Sequence, residues 1–137
     1  MGITYRIDVA KGVVFEEWLD TLSADEIAEH WKKKYADLRV MAAGRTLLDV
    51  RACKLPLSGD DLRCLVKTIL VPTLRNRKMK TAILVNQLVQ YGVARQFLAY
   101  IGETADISIF EDEAEALEWL LQERGLPDPL SARPSGT

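Results

Sequence analysis

The residues with the clearest potential for chemistry lie in one stretch, residues 46–58, where charged and hydroxyl side chains follow a short apolar run. The pattern predicts a strand over residues 46–51, and alternation along a strand puts Asp49 and Arg51 on the same side of it. An aspartate can hold a guanidinium while that guanidinium binds a carboxylate or phosphate of a ligand. A structural ion pair that orients the loop is the alternative, and the sequence leaves both open.

Ser58 stands at the predicted start of the helix that follows this loop. With Asp61 three residues later, it fits an N-cap, whose hydroxyl oxygen accepts a backbone N–H. The free N–H groups and the dipole of a helix start also favour a phosphoryl group. Ser58 is therefore a candidate both for simple capping and for phosphorylation.

Tyr91 and Arg95 are two further candidates, near the start of the helix that follows a central apolar strand at residues 81–86. In an open α/β sheet the loops after the strands gather at one edge. We therefore expect Tyr91 and Arg95 at the same edge as Arg51, in a shared cleft for a partner or ligand.

No motif of metal or nucleophilic chemistry is visible. His30 is the only histidine, and Cys53 and Cys64 form no ligand pair. We predict no metal, no cofactor and no enzymatic activity, and we expect His30 to be a surface or half-buried residue and not a ligand. Both thiols are expected to be reduced and inert, unless Arg51 or Lys54 lowers the pKa of Cys53.

Composition sets further limits. With 48% hydrophobic and 28% charged residues, the 137-residue chain predicts one globular domain at residues 1–124 and a mobile, Pro-rich tail at residues 125–137. A net charge of −2 argues against a nucleic-acid partner. No apolar run has the length of a membrane span, and the first residues do not resemble a secretion signal, so we expect a cytoplasmic protein without integral membrane contact.

The periodicity predicts the element order β-β-α-β-α-β-α-β-α. Alternation at residues 3–9 and an apolar run at residues 13–15 predict an opening hairpin. A capping box begins the first helix, and the Lys32-Lys33-Lys34 run on that helix is interpreted as its solvated face. Pro72 is expected to end the second helix. The predicted fold is a single mixed, mostly parallel five-stranded sheet with four helices, its first strand antiparallel at or near an edge.

Several local strings are similar to those of bacterial SpoIIAA-like proteins, which are relatives of the STAS domain of anti-sigma-factor antagonists. The likeness covers residues 3 to about 124. The strings are Tyr5-Arg6-Ile7-Asp8, Gly12-Val13-Val14-Phe15, Leu48-Asp49-Val50-Arg51, Tyr91-Gly92-Val93-Ala94-Arg95-Gln96-Phe97 and the closing residues 110–120.

The resemblance implies a small α/β domain that binds partners without a cofactor. In anti-sigma-factor antagonists a Ser or Thr at the start of the helix after the third strand is phosphorylated, and Ser58 is the equivalent here. Its surroundings differ, because the Asp-Ser-(Ser/Thr)-Gly string is absent and the loop after Arg51 is longer. The general shape also resembles CRAL-TRIO lipid-transfer modules.

We therefore expect a regulatory, protein-binding module that contacts its partner through residues 51–58 and the following helix. The partner is an unidentified protein, with a second copy of the chain as another candidate. The alternative is a carrier or sensor of a small apolar or anionic ligand. A closed apolar cavity of a few hundred cubic ångström would favour the ligand, and a flat exposed apolar patch would favour the protein partner.

Overall fold

The computed structural model describes residues 2–122, and the predicted tail at residues 125–137 lies outside them. The chain opens with β1 (Ile3–Asp8), β2 (Val13–Thr21), α1 (Ala24–Ala36), α2 (Leu38–Ala43) and β3 (Arg45–Lys54). It continues with α3 (Gly59–Leu65), a π-helical turn (Val66–Leu70), α4 (Val71–Leu74) and β4 (Lys80–Leu84). The last elements are α5 (Leu88–Ile101), a 3-10 turn (Gly102–Thr104), β5 (Asp106–Phe110) and α6 (Glu113–Leu121).

The five strands form one sheet in the order β1-β2-β3-β4-β5. β1 pairs antiparallel with β2, and every other pairing is parallel. The predicted mixed, mostly parallel sheet with an antiparallel edge strand is therefore confirmed. Each strand lies beside the next strand in the chain, and helical segments provide the crossovers that parallel neighbours need.

The helices are divided more finely than the predicted four. Asp37 ends α1 in extended backbone and then caps α2, since its Oδ1 accepts the Arg39 N–H at 3.0 Å. Gly44 closes α2 in the left-handed conformation, at φ 72°. A first helix predicted as a single piece thus becomes two, because an aspartate side chain competes for backbone donors.

The prediction that Pro72 ends its helix is wrong. The chain stays helical from α3 through the π-helical turn to Leu74. A proline inside a helix cannot donate to the preceding turn and crowds the carbonyl four residues earlier. Here the irregular turn directly precedes Pro72, so the disruption is absorbed without ending the helix.

The sheet separates two apolar clusters. On one side, called the α5 face, helices α1, α3, α4 and α5 cover strand residues such as Leu48, Val50 and Ile83. On the other side, called the α6 face, α6 is the covering helix among residues 2–122, and it packs on Leu47 and Leu84. β4 is buried on both faces, as its continuous apolar run predicts.

β3 is longer than β4 and carries a bulge. Up to Asp49 it pairs with β2 on one side and β4 on the other, and its last residues pair with β2 alone. The register with β2 shifts here, because Glu17 lies opposite Asp49 whereas Leu19 lies opposite Ala52. This extra residue lets Val50 and Cys53 both face the α5-face core.

Candidate functional site

The carboxyl ends of β3 and β4 lie at the same edge of the sheet, because these two strands are parallel neighbours. The exits of β3 and β4 therefore share one edge, as the sequence predicts, although β3 continues to Lys54 and does not end at Arg51. We call residues 51–58 and 87–91 at this edge the carboxyl rim. It contains the loop into α3 and the first turn of α5.

Asp49 and Arg51 form the predicted ion pair. The Arg51 Nε and NH2 atoms donate to the two carboxylate oxygens of Asp49 at 3.0 and 2.9 Å, and the Arg51 backbone N–H donates at 3.0 Å. NH2 also lies 3.5 Å from Glu113 Oε1 on α6. Burial alone would raise the pKa of Asp49, but the hydrogen bonds and charge of Arg51 lower it.

Ser58 acts as the N-cap of α3. Its hydroxyl oxygen accepts the Asp61 N–H at 3.0 Å, as the sequence predicts, and the residue is exposed. Asp60 and Asp61 already place two carboxylates in the first helical turn. These charges would oppose a phosphoryl group on Ser58. Capping is the role that the geometry supports, and phosphorylation stays a prediction.

Tyr91 and Arg95 lie together on one exposed side of α5. The Arg95 guanidinium donates to the Tyr91 hydroxyl at 3.2 Å, and its central carbon lies 5.8 Å from the ring centroid. Within the described part of the chain, no hydrogen bond or ion pair joins this couple to Asp49 or Arg51. Asp49 and Arg51 are directed to the α6 face, whereas α5 covers the opposite face. The structure therefore does not bring the candidates into one cleft.

Gln90 joins the two parts of the carboxyl rim by hydrogen bonds, a role that the sequence analysis did not predict. Its Oε1 accepts the Asn86 N–H at 2.8 Å, while its Nε2 donates to the carbonyls of Arg51 at 3.0 Å and Cys53 at 3.5 Å. The buried Gln90 side chain thus satisfies backbone groups of β3 where β4 has already ended. A glutamine among helix residues gives no sign of this role in the sequence.

A small apolar cavity lies under the rim on the α5 face. Its volume is about 50 Å³, and Trp18, Trp31 and Phe97 line it together with Leu55 and Leu57 from the loop before α3. Gln90 supplies the polar part of its wall. Ligand sites for small molecules usually measure roughly 300–1,000 Å³. As it stands, the cavity has room for a few small atoms and not for a lipid chain.

A wider groove of about 380 Å³ opens on the α6 face between β1 and the start of α6. Phe15, Leu47 and Leu84 line it, with Asp49 and Glu113 among its polar residues. The Arg51 guanidinium is paired with both of these carboxylates, and Arg6, the cation in the lining, stacks on Phe15. The groove is therefore open and mixed in polarity.

A buried charged cluster under α1 is the largest feature that sequence reasoning missed. The Glu16 side chain accepts hydrogen bonds from Lys34 Nζ at 2.6 Å and from Trp18 Nε1 at 2.6 Å, and its Oε2 lies 2.5 Å from His30 Nε2. Glu16 and Lys34 are only 3% and 2% exposed. Lys34 therefore does not belong to a solvated face, although its neighbours Lys32 and Lys33 are exposed.

The electrostatics of this cluster follow from pairing within the core. Burial alone would raise the pKa of Glu16, yet the Lys34 charge and the His30 hydrogen bond overcome it and lower the pKa to about 2. Burial would likewise lower the pKa of Lys34, and the Glu16 carboxylate raises it instead. Both groups therefore stay charged at neutral pH.

Cys53 is buried, and its pKa is raised to about 11 by burial and by the Asp49 charge. A reactive thiolate at the rim is therefore disfavoured, because the thiol form dominates at neutral pH. Cys64 is exposed on α3.

Within residues 2–122, no three His, Cys, Asp or Glu side chains are grouped so that they could hold a metal ion. No helix in the same range has the length and hydrophobicity to cross a membrane.

Comparison with known proteins places the fold. No family model and no curated protein sequence matches the chain. A solved structure of an uncharacterized protein of the DUF3478 family, from Shewanella loihica PV-4 and described as SpoIIAA-like, matches with a TM-score of 0.55 and 21% identity. The match covers 87% of this chain and 93% of that one. The chain therefore has the SpoIIAA-like fold that its sequence predicts.

Proposed function

We propose that this protein is a non-enzymatic binding module that holds a protein partner at its carboxyl rim. The observation that carries the proposal is an exposed apolar turn at the start of α5. Leu88 is 87% exposed and Val89 is 72% exposed, and Tyr91 follows with its ring partly in solvent. Contiguous apolar surface of this kind marks interaction sites more often than isolated exposed residues do.

The polar residues of the rim support a recognition surface of fixed shape. Gln90 ties the start of α5 to the end of β3, and Asp49 holds Arg51 in a bidentate pair. A surface that is already ordered loses little conformational entropy when a partner binds. Apolar side chains on a rigid turn, with Arg95 on the same helix, match the pattern of an apolar centre with a polar border.

The test is affinity purification from the native host with the double variant Leu88→Asp, Val89→Asp. We expect a protein that copurifies with the wild type in near-stoichiometric amount and is lost with the double variant. Val9→Asp is the matched control, because Val9 is equally exposed but lies in the β1–β2 turn. Retention of the same protein by the double variant, or its loss with the control, would contradict the proposal.

A small apolar ligand is the second candidate, and the cavity between Trp31, Phe97 and Leu57 is the observation that favours it. Its volume of about 50 Å³ is well below the few hundred cubic ångström that such a ligand needs. Binding would require the loop before α3 to move outward. Native mass spectrometry with fatty acids of increasing chain length tests this, and a spectrum of unliganded protein at every length would exclude it.

A further inference from the structure

Among residues 2–122, no strand pairs with the outer side of β1, which carries a row of outward backbone groups. β1 is the first strand of the sheet, and its antiparallel register pairs Ile3 with Trp18 and Tyr5 with Glu16. The Leu19 N–H donates to the Gly2 carbonyl at 2.6 Å. Since hydrogen-bonded positions alternate along an antiparallel pair, Ile3, Tyr5 and Ile7 direct their N–H and C=O groups away from β2.

This edge has few of the features that usually prevent pairing. β1 contains no proline, and its register with β2 continues without a bulge from Ile3 to Asp8. The charged side chains of the strand are Arg6 and, at its end, Asp8. The Arg6 guanidinium stacks on Phe15 of β2 at 4.4 Å from the ring centroid, and the Asp8 carboxylate accepts the Lys11 N–H of the following turn at 3.0 Å. Regular, unguarded edges are templates for another strand.

The sequence of β1 is self-complementary about Tyr5. Read in either direction from Tyr5, the strand gives a polar residue, Thr4 or Arg6, and then an isoleucine, Ile3 or Ile7. An interface with two-fold symmetry requires such self-complementarity, because each residue meets its mirror position in the other copy. The other edge strand, β5, lacks it, since pairing about Ser108 would oppose Asp106 to Phe110.

We propose that β1 pairs antiparallel with β1 of a second copy of this chain, with the two-fold axis at Tyr5. The sheet then continues across both copies, and Ile3, Tyr5 and Ile7 each exchange backbone hydrogen bonds with the second copy. Apolar Ile3 meets apolar Ile7 on the α5 face, and Thr4 meets Arg6 on the α6 face.

Charge disfavours one of the neighbouring registers. A two-fold axis at Arg6 would set two guanidinium groups directly opposite each other, which is destabilising. With the axis at Tyr5, the second copy's Arg6 lies opposite the uncharged Thr4, and Thr4 is paired in turn with the exposed acid Glu17. Two guanidinium groups therefore do not face each other in the proposed register.

An exposed apolar residue next to this strand also favours a second copy. Tyr5 donates its hydroxyl to Asp37 at 2.8 Å, and the next residue, Leu38, is 82% exposed. Leu38 therefore follows directly on a residue that contacts the proposed axial Tyr5. Two copies related by that axis would carry their Leu38 residues on the same face of the joined sheet, where contact between the copies would remove apolar surface from water.

Single cysteines at successive positions of β1 test the register. In a Cys64→Ser background, Thr4→Cys, Tyr5→Cys and Arg6→Cys are oxidised at low protein concentration and run on non-reducing gels. Only a residue on the axis lies opposite its own copy, at a Cα separation that a disulfide can span. We expect efficient cross-linking for Tyr5→Cys and several-fold less for the other two. Preferential cross-linking at position 4 or 6, or none at position 5, would overturn the proposal.

Proline variants test the edge itself by light scattering. Ile3→Pro and Ile7→Pro each remove an outward N–H and should halve the apparent mass. Proline is tolerated at edge positions whose N–H faces solvent, and Ile109→Pro on β5 is the matched control that should keep the dimer mass. A folded Ile3→Pro or Ile7→Pro protein that keeps the dimer mass, or a wild type that is monomeric, would contradict the proposal. The rim variant Leu88→Asp, Val89→Asp should remain dimeric, which separates this inference from the proposed function.

Discussion

Two ion pairs lie on opposite faces of the same sheet and differ mainly in their burial. Glu16 and Lys34 meet at 2.6 Å inside the α5-face core, and Asp49 and Arg51 meet at 2.9 Å on the partly open α6 face. Both acids have a lowered pKa. Breaking a buried pair leaves an unpaired charge without water, whereas water can replace a surface partner. The comparison therefore predicts a large stability effect for one pair and a small one for the other.

The largest effect is expected from Lys34→Met. This variant leaves the Glu16 carboxylate buried without its cation, which costs about 3–5 kcal/mol for a broken buried pair. Urea denaturation at pH 7 measures the free energy of unfolding. Lys32→Met on the exposed side of the same helix is the control and should change little. Equal effects of the two variants would show that Lys34 does not depend on Glu16 as described.

Acid should destabilise the protein through Glu16. The folded-state pKa of Glu16, about 2, lies below the ordinary glutamate pKa of 4.5. A lowered pKa stabilises the fold above the unfolded value, and that stability is lost as the pH falls through the folded pKa. The loss is on the order of 3 kcal/mol between pH 5 and pH 2. Urea titrations across this range should show a shallower pH dependence for Glu16→Gln, and an identical slope would contradict the assignment.

An intermediate effect is expected from Gln90→Ala. Removing the amide leaves the Asn86 N–H and the carbonyls of Arg51 and Cys53 without their partner. Unsatisfied buried groups cost about 1–3 kcal/mol. Thermal unfolding gives the stability, and Gln96→Ala, exposed on the same helix, is the control. Hydrogen exchange should also quicken at Asn86, and unchanged protection there would argue against the bridging role.

The smallest effect is expected from Asp49→Asn. The Asp49–Arg51 pair is partly solvated, so its loss should cost less than about 1 kcal/mol. Salt should reduce the difference between wild type and variant, because mobile ions screen exposed charges. Urea denaturation in low and high salt measures both. If Asp49→Asn destabilised the protein as much as Lys34→Met, burial would not be the factor that distinguishes the pairs.

The difference between these two ion pairs also explains which contacts the sequence could predict. Asp49–Arg51, the Ser58 cap and the mostly parallel sheet with its antiparallel first strand depend on neighbours in sequence or on simple periodicity, and all three were predicted. Glu16–Lys34 joins residues 18 positions apart on a strand and a helix. Helical spacing does distinguish Lys34 from Lys32 and Lys33, because Lys34 lies seven residues after Ile27 and three after Trp31, on the buried side of α1. Its pairing with Glu16 has no local signal, since the strand residue that meets this side of the helix is decided by tertiary packing.

The candidate site was predicted in part for a related reason. Parallel pairing of β3 and β4 placed Arg51 and the start of α5 at one edge, as expected. The prediction of a shared cleft ignored the face of the sheet on which each side chain lies, and Arg51 contacts α6 whereas Tyr91 and Arg95 lie on α5. The length of β3 beyond β4, which gives Gln90 its role, also has no signal in a single sequence.

The bulge in β3 also decides which changes of length the rim can accommodate. Deleting one residue between positions 50 and 52 would remove the extra residue, and regular alternation would still direct Cys53 to the apolar cluster and Lys54 to solvent, because side chains repeat with a period of two. A single deletion within residues 46–49, where the alternation is regular, would instead exchange the two faces of neighbouring strand residues. Variants of this strand would therefore be expected to lose the bulge residue more readily than any residue before it.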